Sequence, residues 1–322
     1  MRINHIFICA IICLTSAVLA FAQSAPPPPP PELPIPSSQS PLRVSVNLVM
    51  VDATVKSKDG QIIGDLKRGD FEVLEDGVVQ KLEVFSQDEL PLNVAIVLDL
   101  SDSMDPYLRA LRDTMTSALS ALKPEDQVSL FTFSTTAQLR VFLTDDKTRI
   151  ARYISTTPAG GATNINDGIF VAAKYLFNAH PTGRRVIILI SDDVATNQGH
   201  EGTREIIAEA LEADAALYNL TVPGYNPASS VWIAHRSSAF VDIKRTMNET
   251  GGENFDVKDV TQVDTAFRDL IRRIKTRYTM GYYPQSSVAS DKPHKLEVRL
   301  APSFGKKGRD YIVVAKGGFY VH

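Results

Sequence analysis

The stretch VLDLSDSMDP, residues 97–106, decides the fold and points to a ligand site. An apolar run ends at Asp99, and two serines, Ser101 and Ser103, follow at intervals of two residues. A short polar turn between an apolar segment and a helical pattern is typical of a strand that leads directly into a helix. The stretch therefore predicts a buried strand whose carboxyl end presents three oxygen-bearing side chains.

Strands and helices alternate through residues 91–277. Apolar residues at helical spacing separate the strand segments, and this alternation predicts an α/β fold with a doubly wound, mostly parallel sheet covered by helices on both faces. Five segments are apolar and rich in β-branched residues, as expected for strands buried on both faces: NVAIVL (93–98), QVSLFTF (127–133), RVIILI (185–190), ALYNLTV (216–222) and NFDV (254–257).

Capping signals mark the first and last helices of this region. Asp105 is placed to cap the first helix, and Pro106 fits its first turn. Thr261 and Asp264 resemble a capping box for the last helix. The basic residues near the end of that last helix read either as an anion patch or, as we prefer, as cations favoured by the helix dipole: Arg268, Arg272, Arg273, Lys275 and Arg277.

Short β segments flank this region on both sides. Residues 42–90 contain about four predicted strands, with a turn at Asp76-Gly77, and residues 278–322 contain about three more. Neither group makes a closed sandwich alone, whereas seven strands together do. We expect one small, discontinuous all-β sandwich into which the α/β domain of residues 91–277 is inserted.

The amino-terminal segment predicts export. Residues 1–22 combine a basic Arg2, an apolar run and a small-residue ending, which is typical of a cleavable signal peptide. Residues 23–41 are a Pro-rich linker that favours polyproline II. Both cysteines, Cys9 and Cys13, lie inside the signal segment, so the mature protein is expected to have no thiolate site. We expect a secreted or periplasmic protein.

Composition argues against nucleic acid and membrane as partners. The chain has 322 residues, 44% of them hydrophobic, and a formal net charge of -3. A pI near 6.1 gives no long-range attraction for nucleic acid or anionic lipid. No second apolar stretch approaches the ~20 residues that span a bilayer, so no membrane span is predicted.

Three loops of the predicted sheet carry the same chemistry. The loop after the first strand has Asp99, Ser101 and Ser103; the Gly-rich loop PAGGATNINDG (158–168) has Thr163; and Asp192 follows RVIILI. In such folds ligands bind outside the carboxyl ends of the strands. These carboxylates and hydroxyls suit Mg²⁺, Ca²⁺ or Mn²⁺ better than zinc or copper. Ser and Asp after a strand are also ordinary turn and cap residues, so structural capping is the alternative.

The pattern resembles the metal-ion-dependent adhesion site of von Willebrand factor type A domains. The motif Asp-x-Ser-x-Ser falls on Asp99, Ser101 and Ser103, the threonine of the Gly-rich loop on Thr163, and the aspartate after the fourth strand on Asp192. The resemblance implies that the hydroxyls contact a divalent ion directly, and that the aspartates bind it directly or through water.

The flanking segments GDFEVLEDG (69–77) and RYTMGYYP (277–284) are similar to those of secreted bacterial proteins related to this family. One position departs from the family pattern. Asp193 stands where a glycine usually follows the loop aspartate, and its carboxylate would either crowd the site or strengthen its hold on a cation. Asp tolerates a positive φ better than most residues do.

These observations predict a non-enzymatic, exported binding or adhesion module that recognises a carboxylate of a protein or surface polymer through the bound cation. The alternative is a structural scaffold of an envelope complex in which the metal only stabilises the loops. Catalysis is disfavoured because Ser101 stands where aspartyl-phosphate enzymes need a second acid, and no nucleophile elbow or phosphate loop occurs.

Two further sets of residues have ordinary interpretations. Trp232 reads either as an interface anchor or as a core residue. The histidines outside the signal segment are scattered without ligand spacing, so solvated or locally bonded side chains are expected: His180, His200, His235, His294 and His322.

Overall fold

The computed structural model describes residues 48–87, 90–197, 199–223, 240–284, 292–304 and 310–320. The predicted signal peptide, the Pro-rich linker and Trp232 lie outside the described residues. In the described part of the chain no helix is long and apolar enough to cross a bilayer.

The secondary structure begins and ends with strands. The strands are β1 (Val49–Ser57), β2 (Phe71–Glu75), β3 (Val78–Gln80), β4 (Val84–Gln87), β5 (Leu92–Asp99), β6 (Gln127–Phe133), β7 (Ala137–Thr144), β8 (Arg184–Ser191), β9 (Ala215–Thr221), β10 (Asn254–Asp256), β11 (Tyr278–Tyr282), β12 (His294–Leu300), β13 (Tyr311–Ala315) and β14 (Gly318–Phe319). The α-helices of the described residues are α1 (Asp105–Leu119), α2 (Lys147–Thr156), α3 (Ile165–Ala179), α4 (Thr203–Glu212), α5 (Ile243–Thr250) and α6 (Val263–Lys275).

Six strands form the central sheet, in the order β10-β9-β8-β5-β6-β7. All neighbours are parallel except β6 and β7, which are antiparallel. Within this sheet β5 comes first along the chain, and β6 and β7 follow on one side of it. The chain then crosses to the other side of β5, where it forms β8, β9 and β10. The strand order therefore reverses between β5 and β8, where ligands bind in open parallel sheets. The predicted doubly wound α/β class is confirmed.

Helices cover both faces of this sheet, and β5 shows why. All eight residues of β5 are buried, and their side chains alternate between two cores. Val94, Ile96 and Leu98 face α1, α2 and α6. Ala95 and Val97 face α3, α4 and α5. A strand that is apolar on both faces is stable only where both faces are covered.

Both predicted helix caps differ from the structure. Helix α1 follows a short 3₁₀ turn, Met104 occupies its cap position, and Asp105 forms an ion pair with Arg109 one turn later. Before α6, Asp259 accepts hydrogen bonds from the backbone and hydroxyl of Thr261, so it caps a 3₁₀ turn that the capping signal did not reveal.

The basic residues of α6 have separate partners. Arg268 pairs with Asp264 and Arg272 with Asp269, whereas Lys275 donates to a backbone carbonyl of another segment. The helix dipole favours these cations in the last turn, and their local partners argue against a shared anion patch.

Two antiparallel four-stranded sheets pack beside the α/β part. Their orders are β13-β1-β11-β4 and β14-β12-β2-β3, so each sheet combines strands from both flanks of the chain. One core of side chains from both sheets joins them, including Val51, Phe71, Tyr278 and Val298. These small sheets agree with the predicted β part, although the exact domain boundaries stay predictions.

Buried polar residues connect the β part to the central sheet. Arg277, which is 2% exposed, donates to the Tyr218 hydroxyl at 2.6 Å and to the Asp52 carbonyl at 2.9 Å. Glu253, which is 7% exposed, forms ion pairs with Lys56 of β1 and with Arg273 of α6. Residues Val46–His322 form one compact unit.

Candidate metal centre

Asp99 ends β5 as a completely buried carboxylate. Its Oδ1 accepts a hydrogen bond from the Ser101 backbone N–H at 2.8 Å, which turns the chain immediately after the strand. Its Oδ2 accepts one from the Ser191 hydroxyl at 2.7 Å. Burial raises the pKa of Asp99 to about 7, although these hydrogen bonds oppose the shift and the charge of Asp192 adds to it. Asp99 is therefore held rigidly in a position where its charge is poorly solvated.

The two serines of the motif lie together beside this carboxylate. The Ser101 and Ser103 hydroxyl oxygens are 3.2 Å apart. The Ser101 carbonyl also accepts the Met104 N–H at 3.0 Å, which closes the 3₁₀ turn before α1. This tight turn brings both hydroxyls to the same side of the chain.

The Gly-rich loop is hydrogen-bonded to both of the other loops. The Gly160 N–H donates to the Leu100 carbonyl at 2.6 Å, and the Asn164 N–H to the Ser134 carbonyl at 2.9 Å. Gly160 and Gly161 have φ values of 156° and 101°, which favour glycine. Thr163 itself is buried, at 3% exposure.

Thr163 is also tied to the loop after β8. Its N–H donates to the Thr196 hydroxyl at 2.8 Å, and its carbonyl accepts the N–H groups of Thr196 and Asn197, each at 3.0 Å. Thr196 was not singled out from the sequence, because a threonine four residues beyond a loop aspartate has no distinctive signal.

Asp192 follows β8 and is 8% exposed. Its Oδ1 accepts the Val194 N–H at 3.1 Å, and its charge contributes to raising the pKa of Asp99. Leu98 pairs with Ile190 in the sheet, so the next residues, Asp99 and Ser191, lie beside each other at the ends of neighbouring strands. Asp192 follows one residue later. The hydrogen bond from Ser191 to Asp99 is the link that sequence reasoning missed, although Ser191 precedes Asp192 directly.

Asp193 adopts the backbone conformation that glycine usually supplies, with φ 59°. Its carboxylate accepts hydrogen bonds from Asn219 Nδ2 at 3.1 and 2.8 Å and from the Thr221 hydroxyl at 2.9 Å. Burial raises the pKa of Asp193 to about 6, against these hydrogen bonds and with a contribution from the charge of Asp192. The added carboxylate is thus bonded to the end of β9.

These contacts fit a hard cation. They bring the loops after β5 and β8 and the Gly-rich loop to one edge of the sheet, and the side chains there offer only oxygen ligands. No lysine, arginine or histidine within the described ranges forms an ion pair with Asp99 or Asp192. Two carboxylates buried near each other without a cationic partner are costly, and a divalent cation offsets that cost.

Comparisons with known proteins agree with the α/β fold. Residues 94–195 match the family model for the von Willebrand factor type A domain. Residues 94–195, most of the α/β part, are therefore identified as a von Willebrand factor type A domain.

Its relatives are larger proteins. The chain is 29% identical over 147 residues to human inter-alpha-trypsin inhibitor heavy chain H4, covering 42% of this chain and 16% of the relative. It is 30% identical over 242 residues to mouse heavy chain H2, covering 69% of this chain and 24% of the relative. The chain thus spans only about a sixth to a quarter of the length of these relatives. Among solved structures, a von Willebrand factor type A protein from Catenulispora acidiphila is similar, with 12% identity, a TM-score of 0.42, and coverage of 81% of this chain and 73% of that one.

Proposed function

We propose that this protein is an exported, divalent-cation-dependent binding module. Mg²⁺, or Ca²⁺ or Mn²⁺ in its place, is held by a set of oxygen ligands from three loops: Asp99, Ser101, Ser103, Thr163 and Asp192. A carboxylate of a partner protein or surface polymer completes the coordination. The observation that carries the proposal is the wholly buried Asp99, fixed by two hydrogen bonds and close to Asp192, with no cationic side chain paired to it in the described residues.

The exposure of the surrounding residues supports a site that a partner can reach. Asp99, Thr163 and Asp192 are buried, whereas Asp102, Gly160 and Gly161 beside them are exposed. Mg²⁺ prefers six oxygen ligands and keeps several waters in most protein sites, so a partner's oxygen can replace one of them. The small glycines leave room above the ion for that partner.

The test measures thermal unfolding and partner capture for the unaltered protein and for two variants. In the unaltered protein, millimolar Mg²⁺ raises the thermal unfolding temperature, and partners are captured from envelope extract in a Mg²⁺-dependent manner. Asp99→Ala abolishes both effects. Asp113→Ala, which removes an exposed aspartate of α1, leaves both unchanged. A protein whose unfolding temperature does not respond to Mg²⁺, Ca²⁺ or Mn²⁺ contradicts the proposal.

The second candidate is a scaffold whose cation only stabilises the loops. The observation in its favour is the buried polar contact between the β part and the central sheet through Glu253, which suits a rigid assembly element. Captured partners that remain bound in EDTA, while the thermal response to Mg²⁺ persists, favour the scaffold over cation-mediated recognition.

Export is the remaining part of the proposal, and the predicted signal peptide of residues 1–22 supports it. Mass spectrometry of the amino terminus of the protein recovered from its native source tests it. Cleavage after Ala22 is the expected result, and an intact terminus in a cytoplasmic fraction contradicts it.

A further inference from the structure

We propose that Glu75, Asp76 and His294 form a second metal site, for a divalent first-row transition ion such as Zn²⁺. The site lies on the antiparallel sheets and shares no residue with the candidate centre at Asp99. Sequence spacing did not suggest it, because His294 is 218 residues from Asp76.

The strand pairing brings the three side chains together. Glu75 ends β2, and Asp76 and Gly77 form the turn into β3 with φ values of 48° and 84°. Strand β12 runs antiparallel to β2 with Leu296 opposite Glu75, so His294 falls beside that turn. The His294 Nδ1 lies 2.8 Å from Asp76 Oδ2 and 3.3 Å from Glu75 Oε1.

These separations suit a small ion with short bonds. The three ligand atoms lie within 4.8 Å of one another. A tetrahedral zinc ion with bonds of about 2.0–2.1 Å separates neighbouring ligand atoms by about 3.3–3.4 Å. The distance from His294 to Glu75 already has this value, and the distance from His294 to Asp76 needs to open by only about half an ångström when the ion replaces their hydrogen bond.

A buried carboxylate oxygen provides independent support. The Glu75 side chain is 6% exposed, and its Oε2 is buried. The Tyr282 hydroxyl is its hydrogen-bonding neighbour, and the His294 imidazole is the basic group that lies against it. One hydroxyl and one imidazole solvate a buried carboxylate less well than water does, and a bound cation offsets that cost.

The surroundings hold the ligands in position. The Lys295 N–H donates to Asp76 Oδ1 at 2.9 Å, which leaves Asp76 Oδ2 directed at His294. The Phe319 ring stacks on the His294 ring, with 5.3 Å between centroids. Outer contacts of this kind orient the ligands of metal sites.

The ligand chemistry separates this site from the first. One imidazole and two carboxylates suit zinc and neighbouring transition ions, whereas the Asp99 centre offers only oxygen and suits Mg²⁺. Because β2 and β12 come from opposite flanks of the chain, the ion cross-links the two halves of the β part and stabilises the folded state by mass action.

The test uses the full chain with Asp99→Ala, which disables the first centre, and with Cys9→Ser and Cys13→Ser, which remove the thiols. Titration calorimetry with Zn²⁺ is expected to show one ion per chain, and thermal unfolding to shift upward. The absorption spectrum of the Co²⁺ form is expected to show a low-symmetry site. His294→Asn weakens Zn²⁺ binding at least tenfold and removes the thermal shift.

His200→Asn is the matched control, because His200 Nδ1 also lies 2.9 Å from a carboxylate, that of Asp167, but its side chain is 90% exposed. This variant is expected to keep full Zn²⁺ affinity. Glu75→Gln keeps the side-chain shape and gives a second test, with circular dichroism as the check on folding. Equal Zn²⁺ affinity in the parent, His294→Asn and Glu75→Gln proteins, or no stoichiometric Zn²⁺ binding at micromolar concentration, overturns the proposal.

Discussion

The Ser191 hydroxyl donates a 2.7 Å hydrogen bond to Asp99 Oδ2, and this bond joins the carboxyl ends of the two strands between which the order of the central sheet reverses. Ser191 and Asp99 are both fully buried. The bond therefore fixes a carboxylate that water cannot reach, at the position where the proposed cation binds.

Removing this hydroxyl is expected to destabilise the metal-free protein. Hydrogen bonds to charged groups contribute about 1.5–3 kcal/mol, so Ser191→Ala lowers the free energy of unfolding by about that amount at pH 8. Urea denaturation in EDTA measures it. Ser129→Ala is the control, since the Ser129 hydroxyl is equally buried but makes only a 3.4 Å bond to the Val94 carbonyl. Equal losses in the two variants contradict a special role for the bond to Asp99.

The response to Mg²⁺ is expected to depend on pH. The folded-state pKa of Asp99 is raised to about 7, so its contribution to metal-free stability is complete below the unfolded value near 4 and is lost as the pH rises through about 7. Asp193, with its pKa raised to about 6, acts in the same direction. Protons compete with the cation for Asp99, so the increase in unfolding temperature caused by Mg²⁺ is small at pH 5 and largest near pH 8.

Thermal unfolding with and without Mg²⁺ across this range is the measurement. Asp99→Asn is expected to remove the Mg²⁺ response at every pH and to flatten the metal-free pH dependence. An equal Mg²⁺ response at pH 5 and pH 8 in the unaltered protein is inconsistent with cation binding at Asp99.

Substitutions at Asp193 separate backbone conformation from hydrogen bonding. Asp193→Gly loses the bonds to Asn219 and Thr221 but accepts the positive φ, whereas Asp193→Ala loses the bonds and is also strained. A left-handed conformation costs a residue with a Cβ about 1–2 kcal/mol, so the alanine variant is expected to be less stable than the glycine variant by that amount. Denaturant unfolding of both proteins checks this, and equal stability refutes it.

Helix α3 approaches the sheet closely at Gly168. A Cβ added there lies 2.9 Å from Phe133 Cδ1 and 3.1 Å from Val97 Cγ1. Overpacking of a core costs about 1–3 kcal/mol, so Gly168→Ala lowers the free energy of unfolding by about that amount. Gly69→Ala, where an added Cβ meets no atom within 4 Å, is expected to change it by less than about 0.5 kcal/mol. Similar values for the two variants contradict the close packing.

Sequence reasoning succeeded where burial dictates composition. The strands β5, β6, β8 and β9 are buried on both faces, so their residues read as continuous apolar runs, and the polar residues that follow β5 and β8 mark the edge of the sheet. Parallel pairing then brings the carboxyl ends of β5 and β8 to one edge of the sheet, although the hydrogen bond from Ser191 to Asp99 was not predicted.

Sequence reasoning missed features that depend on the burial of only one face of a strand or on pairing between distant segments. Strand β7 is an edge strand whose residues are mostly exposed or half-buried, with Phe142 66% exposed, so its pattern gave no clear signal. Strand β14 has only two residues. The approach of His294 to Asp76 depends on the register between β2 and β12, which local sequence does not encode.

Each antiparallel sheet combines strands from both flanks of the chain, so these sheets can form only after the carboxyl-terminal flank has been synthesised. Strand β1 pairs with β11 and β13, and β2 pairs with β12, so the first strands to leave the ribosome wait for partners translated more than 200 residues later. The α/β part has all of its own strands available before then. Until the carboxyl-terminal flank emerges, β1 and the edge of β2 that later pairs with β12 stay unpaired, and unpaired strand edges favour aggregation.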